Sequence, residues 1–245
     1  MFEATIRAGR LREVLDAAGV LVDECRIHVC DEGLLLRAAD PAMVALVDIT
    51  LDAEAFESYE ADGELLGIEI DRLAEVCRIA DDDSLARLEL DAEKRRLHVD
   101  IGSLSYELGL LDPNSIREEP DLPSVDPPAT VVLEGEHLDR GIEAADMVAD
   151  HLRLRVDDDV FVIEAEGDTD DVSVEFTRGD LLEVAPGQAD SLYSLAYLTA
   201  MSRAIPGDAA VRLELGEEFL AGIQYEYAEG GPAVSYHLAP RLQTA

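Results

Sequence analysis

Lysine is almost missing from this 245-residue chain: Lys94 stands alone among 19 basic residues, against 55 Asp and Glu, for a formal net charge of −36. Cysteine is sparse too. Cys25, Cys30 and Cys77 are odd in number and contain no C-x-x-C, which argues against a disulfide framework and favours a reduced, cytosolic thiol set. No run of 18 apolar residues occurs, so no membrane-spanning helix is predicted. The opening Met1-Phe2-Glu3-Ala4 lacks the basic and apolar regions of a signal peptide. Catalytic signatures are missing as well: there is no phosphate-cradling P-loop, no dinucleotide glycine fingerprint, no H-E-x-x-H and no G-x-S-x-G. The histidines (His28, His98, His137, His151, His237) share no metal-ligand spacing, and Cys25 and Cys30 read as core residues of a strand region. Asp168-Thr169-Asp170-Asp171 lacks the glycine and the distal glutamate of a calcium loop. The expectation is a non-enzyme with no metal and no cofactor, a carboxylate pair assembled only by folding being the one catalytic alternative left open.

What the chain does have is a core and a uniform acidity. With 48% hydrophobic residues it can bury a substantial interior, so disorder is not expected despite the charge. The acids recur along the whole length, as in Asp81-Asp82-Asp83 and Asp157-Asp158-Asp159. Such an excess repels itself in dilute buffer, whereas at molar salt the Debye length is about 3 Å and most of the repulsion is screened. The reading is adaptation to a molar-salt cytoplasm. An acidic face for basic partners is the alternative, but it would leave lysines elsewhere.

The stretch 120–128 holds four of the ten prolines, and proline fixes φ and donates nothing to a ladder. It reads as an extended connector near the midpoint. On either side the signals follow one order: short strand, amphipathic helix, several strands, second helix, more strands. Ala86-Arg87-Leu88-Glu89-Leu90 also recurs as Val211-Arg212-Leu213-Glu214-Leu215. Together these indicate an internal duplication, with domains expected at 1–111 and 131–245 and a connector at 112–130.

Apolar spacing predicts four helices: Leu11, Val14, Leu15 and Ala18; Leu73, Val76, Cys77 and Ala80; Leu138, Ile142, Ala145 and Ala149; and Leu198, Met201 and Ile205. Strands are predicted at 33–38, 44–51, 85–90, 97–101 and 106–111, then at 131–133, 152–156, 160–165, 172–176, 211–215, 222–227 and 233–238. Several alternate polar with apolar residues, which suits antiparallel sheets covered on one face. The predicted class is α+β and strand-rich. Advancing 100° per residue sets Arg78, Arg140 and Arg203 opposite their apolar stripes, with Arg10 and Arg12 on the flanks of the first. The windows 9–20, 71–80, 136–149 and 190–204 total 51 residues carrying −3, while the other 194 carry −33. Ordinary solvated helix faces explain this, and so does a shared surface kept tolerant of a polyanion.

Several segments resemble sliding clamps of the proliferating cell nuclear antigen family. They are Met1-Phe2-Glu3-Ala4, Leu36-Arg37-Ala38-Ala39-Asp40 followed by Val44-Ala45-Leu46-Val47, Thr50-Leu51 with Phe56-Glu57-Ser58-Tyr59, Leu195-Ala196-Tyr197-Leu198, and Tyr236-His237-Leu238-Ala239-Pro240. They lie in collinear order over essentially the whole chain. The resemblance implies a DNA-clamp fold of two similar domains, each with antiparallel sheets and two helices, closing into a homotrimeric ring whose helices line a hole around duplex DNA. It implies a processivity factor that tethers DNA polymerase and other replication and repair clients through short clamp-binding peptides. An ATP-driven loader opens the ring, and no membrane is involved. A subunit of a heteromeric or checkpoint-type clamp is the alternative. The implied DNA-facing residues are Arg10, Arg12, Arg78, Arg140 and Arg203, with Arg72 on a flank, while Glu75, Ala196 and Glu143 fill places that are commonly basic. The implied client pocket is Ala39, Val44, Pro120, Leu122, Pro123, Leu220, His237, Ala239 and Pro240. There His237 stands where tyrosine is frequent and Leu220 where proline is usual, and core packing is the alternative role of each apolar position. The implied subunit edges are 105–111, with Tyr106, Leu108 and Leu110, and 172–178, with Val172, Val174 and Phe176.

Overall fold

A computed structural model describes residues 1–121, 126–185 and 187–241. They divide into two compact units. The first is Met1–Asp121 with Glu226–Val234; the second takes the described residues of 126–225 and 235–241.

In the first unit the order is β1 (Phe2–Arg7), α1 (Ala8–Gly19), β2 (Glu24–Cys30), β3 (Gly33–Ala39), β4 (Ala45–Asp52), β5 (Ser58–Ala61), β6 (Glu64–Glu69), α2 (Ile70–Arg78), β7 (Leu85–Asp91), β8 (Arg96–Ile101) and β9 (Leu104–Gly109). One sheet runs β5-β1-β7-β8-β9, and β4-β3-β2-β6 form a second set of neighbours. Every pairing within these two sets is antiparallel. Alternation decides the inward face. Phe2, Ala4 and Ile6 of β1 are buried, as are Val47, Ile49 and Leu51 of β4. The helices pack on each other, and Leu11, Val14, Leu15 and Ala18 of α1 and Leu73, Val76 and Cys77 of α2 are buried. Each of the leucines and valines stabilises the unit by roughly 1.5–3 kcal/mol relative to exposure, so a charge at Leu15 would break the face.

The second unit repeats the plan with β10 (Ala129–Glu134), α3 (Gly135–Asp146), β11 (His151–Asp158), β12 (Val160–Glu166), β13 (Asp171–Phe176), β14 (Glu183–Ala185), β15 (Gly187–Ser194), α4 (Leu195–Ser202), β16 (Ala210–Leu215), and most of β17 (Ala221–Glu226) and β18 (Ala233–Leu238), of which Glu226, Ala233 and Val234 are counted in the first unit. Here β13-β12-β11-β15 form one sheet, and β14-β10-β16-β17 are successive neighbours. The echoed pentads fall in β7 and β16, each paired to the first strand of its unit, with Leu88 opposite Ala4 and Leu213 opposite Val131.

Capping repeats even more closely than sequence. None of the four helices has a side-chain N-cap bond, so loops must satisfy the orphan N–H groups. Ala8 and Gly9 of α1 donate to the carbonyls of Ser84 and Asp82, at 2.8 and 3.0 Å. Gly135 and Glu136 of α3 donate to Ala209 and Gly207, at 2.9 and 2.8 Å. Ile70 of α2 and Leu195 of α4 each donate to an aspartate carbonyl, Asp23 and Asp150. The approach is close enough that a Cβ on Gly135 would sit 2.3 Å from the Pro206 oxygen, which explains the glycine at the first helical position.

The predicted helices form, but three of them stop earlier than the spacing suggests. Ala80, Ala149 and Ile205 lie beyond the ends of α2, α3 and α4 and are half-buried. The strands β5, β6, β14 and β15 have no predicted counterpart, and β1 and β2 lie where only a short strand and a strand region, without bounds, were expected.

Candidate nucleic-acid interface

The six arginines named from the sequence sit on or beside the four helices, and their surroundings differ. On α1, Arg10 is the most covered, with 15% of its side chain exposed; it donates to Glu13 at 2.9 Å and to the Glu229 carbonyl at 3.0 Å. Arg12 pairs with Asp82 in the α1-capping loop at 2.6 Å, a bond that raises its pKa further, and lies 3.9 Å from Asp16. Arg78 closes α2 and reaches across to Asp16 of α1 at 2.8 Å. Arg72 pairs backwards with Glu69 at 2.9 Å. The first unit thus presents guanidinium groups, exposed at Arg72 and Arg78 and half-buried at Arg10 and Arg12, already matched by carboxylates. Exposed pairs of this kind are worth about 0–1 kcal/mol, so they can re-pair with another anion at little cost.

In the second unit the partners thin out. Arg140 of α3 lies 6.0 Å over the Phe176 ring and is exposed. Arg203, the residue capping the end of α4, is exposed and has no ion pair among the described residues. It stands near the negative end of the helix dipole, a favourable place for a cation. Counted over the elements as they fold, α1, α2 and α4 are each net neutral and α3 carries −3.

The residues implied for client binding fall in both units. Ala39 ends β3, and Val44 lies in the loop before β4. That loop is folded around one buried side chain. The Asp40 carboxylate accepts from the N–H groups of Ala42 at 2.9 Å and of Val44 and Ala45 at 2.7 Å. Met43 is carried there at φ 59° with its side chain exposed. Arg117 donates to the Asp40 and Pro41 carbonyls, both at 3.2 Å, which anchors the start of the connector to the loop. Arg26 and His28 of β2 hold the same segment through the carbonyls of Pro113 and Ile116 and the Glu119 carboxylate. In the second unit Leu220, His237, Ala239 and Pro240 are half-buried, and His237 Nε2 lies 3.3 Å from Ser235 Oγ. Ala39, Val44 and Pro120 are half-buried as well. Full burial would mark them as core, whereas partial exposure leaves apolar surface available to a ligand. Leu122 and Pro123 lie outside the described residues. Asp40 was missed by the sequence reading, although aspartate before proline is a turn signal.

The two implied subunit edges are sheet ends: β9 closes β5-β1-β7-β8-β9, and β13 closes β13-β12-β11-β15. Tyr106 on β9 and Val172 and Val174 on β13 are half-buried, while Leu108 and Phe176 are buried within their own units. Leu110 lies just past β9, tied by its N–H to the Arg95 carbonyl at 2.9 Å.

The titratable chemistry is quiet. Burial pushes the thiols of Cys25 and Cys77 up to about 12 and about 11, and the Tyr193 hydroxyl up to about 12, so none is a ready nucleophile. Glu134, Glu136 and His137 bring one donor atom each within 4.8 Å at the start of α3, a cluster invisible to a spacing search, with Glu136 exposed as is usual for an acidic first turn. A 690 Å³ cleft in the second unit is lined by Asp146, Asp150, Glu164, Glu166, Asp168 and Asp170 beside His151 and Arg153.

Comparison with known proteins places this geometry. The family model described as "Proliferating cell nuclear antigen, N-terminal domain" matches residues 1–104. The chain is 52% identical to the DNA polymerase sliding clamp of Haloarcula marismortui and 50% to that of Natronomonas pharaonis, covering all of each protein. Among solved structures it resembles A. fulgidus PCNA bound to the C-terminal region of FEN-1, with a TM-score of 0.95 at 32% identity over the whole of both chains. PCNA of Thermococcus kodakaraensis gives 0.90 at 26% identity, covering 98% of this chain and 100% of that one.

Proposed function

The chain belongs to the proliferating cell nuclear antigen family of DNA polymerase sliding clamps, and from that premise we propose how its own residues serve the clamp. It is a non-catalytic processivity factor that encircles duplex DNA and tethers DNA polymerase and other replication and repair proteins. On this reading three copies close head to tail, β9 of one against β13 of the next, and the place of each at an end of its sheet is the observation that carries it. Exposed edges are an aggregation hazard, and pairing them with each other removes it. The clamp domains are 1–111 and 131–245, joined by 112–130, and an ATP-driven loader opens the ring. Among the described residues no helix is long and apolar enough to cross a membrane; the compartment this reading assigns is the cytoplasm.

Arg12, Arg72, Arg78, Arg140 and Arg203 guide sliding and do not supply the holding energy. With about six phosphates neutralised, log K falls by roughly five units per tenfold rise in salt, so in molar salt even a fully basic lining holds DNA weakly. A closed ring is retained by topology. Arg10 belongs to the same surface as an anchor, since Glu13 and the Glu229 carbonyl already hold it. Clients insert a short helical turn with aromatic anchors onto apolar surface, and the residues implied for this are Ala39, Val44 and Pro120 of the first unit and Leu220, His237, Ala239 and Pro240 of the second. Light scattering after size exclusion in about 2 M KCl, where charge is screened, tests the assembly: three times the 26.6 kDa chain is expected, and a single-chain mass would overturn the homotrimer.

A further inference from the structure

The two sheet ends carry opposite charge patterns. Arg96 faces Gly109 across the β8–β9 pair, so the turn holding Lys94 and Arg95 lies at the Gly109 end of β9. This turn contains the chain's single lysine and its only run of three basic residues. Their acid partners are local, half-buried at Asp91 and Asp112 and exposed at Glu107: Lys94 pairs with Asp91 at 2.6 Å, Arg95 with Asp112 at 3.1 Å, and Arg96 with Glu107. Arg95 stands at φ 51°, in the left-handed region. At the other end of β9, Asp100 is exposed opposite Ser105.

The β13 edge reads the other way round. Its Asp171 end continues from a turn carrying Asp168 and Asp170, and Asp171 faces Glu166 of β12. None of these four carboxylates has an ion pair among the described residues. At the Phe176 end, Arg178 is exposed and likewise without an ion pair.

We infer that the Lys94–Arg96 turn of one copy seats against the Asp168–Asp171 turn of the next, and that this charge match sets the direction in which the two edges pair. The inference rests on the head-to-tail ring proposed above. Antiparallel pairing brings Gly109 to Asp171 and Leu104 to Phe176, so basic meets acidic at one end and Asp100 meets Arg178 at the other. Parallel pairing would set Lys94–Arg96 beside Arg178 and Asp100 beside the acidic turn, like charge on like at both ends. Reach is sufficient, because Arg96 on β8 and a residue on the docked β13 are two strand spacings apart, about 10 Å. The occupant of each edge is therefore a second copy of this chain. Complementary rim charges contribute direction and discrimination more than affinity, which suits a chain working in screening salt.

The test is the KCl concentration at which the full-length assembly half-dissociates, read by light scattering. Lys94→Glu with Arg96→Glu is expected to raise it about twofold, because like charges are juxtaposed. Asp168→Arg with Asp171→Arg should raise it too, although that pair lowers the overall negative charge. The fourfold swap should return it to the wild-type value, the coupling a double-mutant cycle detects. Arg7→Glu with Arg212→Glu makes the same net-charge change away from both edges and should have the smaller effect; circular dichroism confirms that each variant folds. An acid-side variant that tightens the assembly, a swap that fails to restore it, or a control as weak as the basic-side variant would each overturn the charge match. A single-chain mass for the wild type in 2 M KCl would instead overturn the ring itself, and the inference with it.

Discussion

At the residue scale two buried groups do work that their sequence positions do not advertise. Asp40 is 3% exposed and its carboxylate accepts three backbone N–H groups, so it fixes the 40–45 loop that carries Val44. Asp40→Ala leaves those donors without their acceptor and is expected to cost on the order of 3 kcal/mol in denaturant melts, with client-peptide binding weakened alongside; an unchanged midpoint would show that water replaces the carboxylate. Cys25 and Cys77 give a pH signature. Their thiols are raised by burial to about 12 and about 11, above the ordinary thiol value. Between the unfolded and folded pKa values the unfolded chain has lost protons that the folded chain keeps, so stability falls as pH rises from about 9 towards 11. Melts in KCl at pH 8 and 10 should show this fall, and a Cys25→Ala, Cys77→Ala variant should show less of it. Cys30, half-buried and donating to the Gly33 carbonyl at 3.3 Å, should be the first thiol alkylated in the folded protein.

At the element scale the helices were readable because each buries a stripe at regular spacing, and the stripes are found buried up to the helix ends, with Ala80, Ala149 and Ile205 half-buried beyond them. Their ends were not readable. The starts are capped by carbonyls such as Asp82 and Gly207, some seventy residues from the N–H groups they satisfy, and no local pattern encodes that. Strand β15 escaped for a related reason. Its inward positions include Ser191, a polar side chain buried because it donates to the Gly216 carbonyl and accepts from the Phe219 N–H, which interrupts the apolar alternation. Strand β6 buries Leu66, Gly67 and Ile68 in succession, without a period of two. The candidate interface was legible as a set of arginines, but not the pairing of Arg78 with Asp16 and of Arg12 with Asp82, which depends on helices and loops meeting in the fold. These pairings bear on how DNA is held. Arg78→Ala, Arg140→Ala and Arg203→Ala together are expected to leave retention on closed circular DNA within about twofold of wild type in molar salt, where phosphate contacts contribute little. Loss of retention by an intact assembly would show that the arginines hold the duplex.

At the scale of the whole molecule the decisive quantity is charge. Each chain carries −36, and a closed assembly brings three such chains together against their mutual repulsion. Screening at molar salt removes most of this, and dilution restores it. Lowering KCl from about 2 M to about 0.1 M should therefore dissociate the assembly, while 50–52% identity to sliding clamps of Haloarcula and Natronomonas places the chain beside relatives from salt-rich settings. The relation between the two halves was legible in the pentad echo, and the fold deepens it, since both units cap their helices through the same loops. Composition and periodicity did not encode which surfaces would join separate chains; the resemblance pointed to 105–111 and 172–178, and β9 and β13 each lie at an end of their sheet.

The most direct test of the central claim is topological. The full-length protein, placed by its loader on closed circular duplex in about 2 M KCl, should co-elute with the DNA and be released when one restriction cut linearises the circle. Release on cutting is what an encircling ring predicts. Equal retention on circular and linear DNA would mean that direct contacts hold the duplex, and would contradict the account.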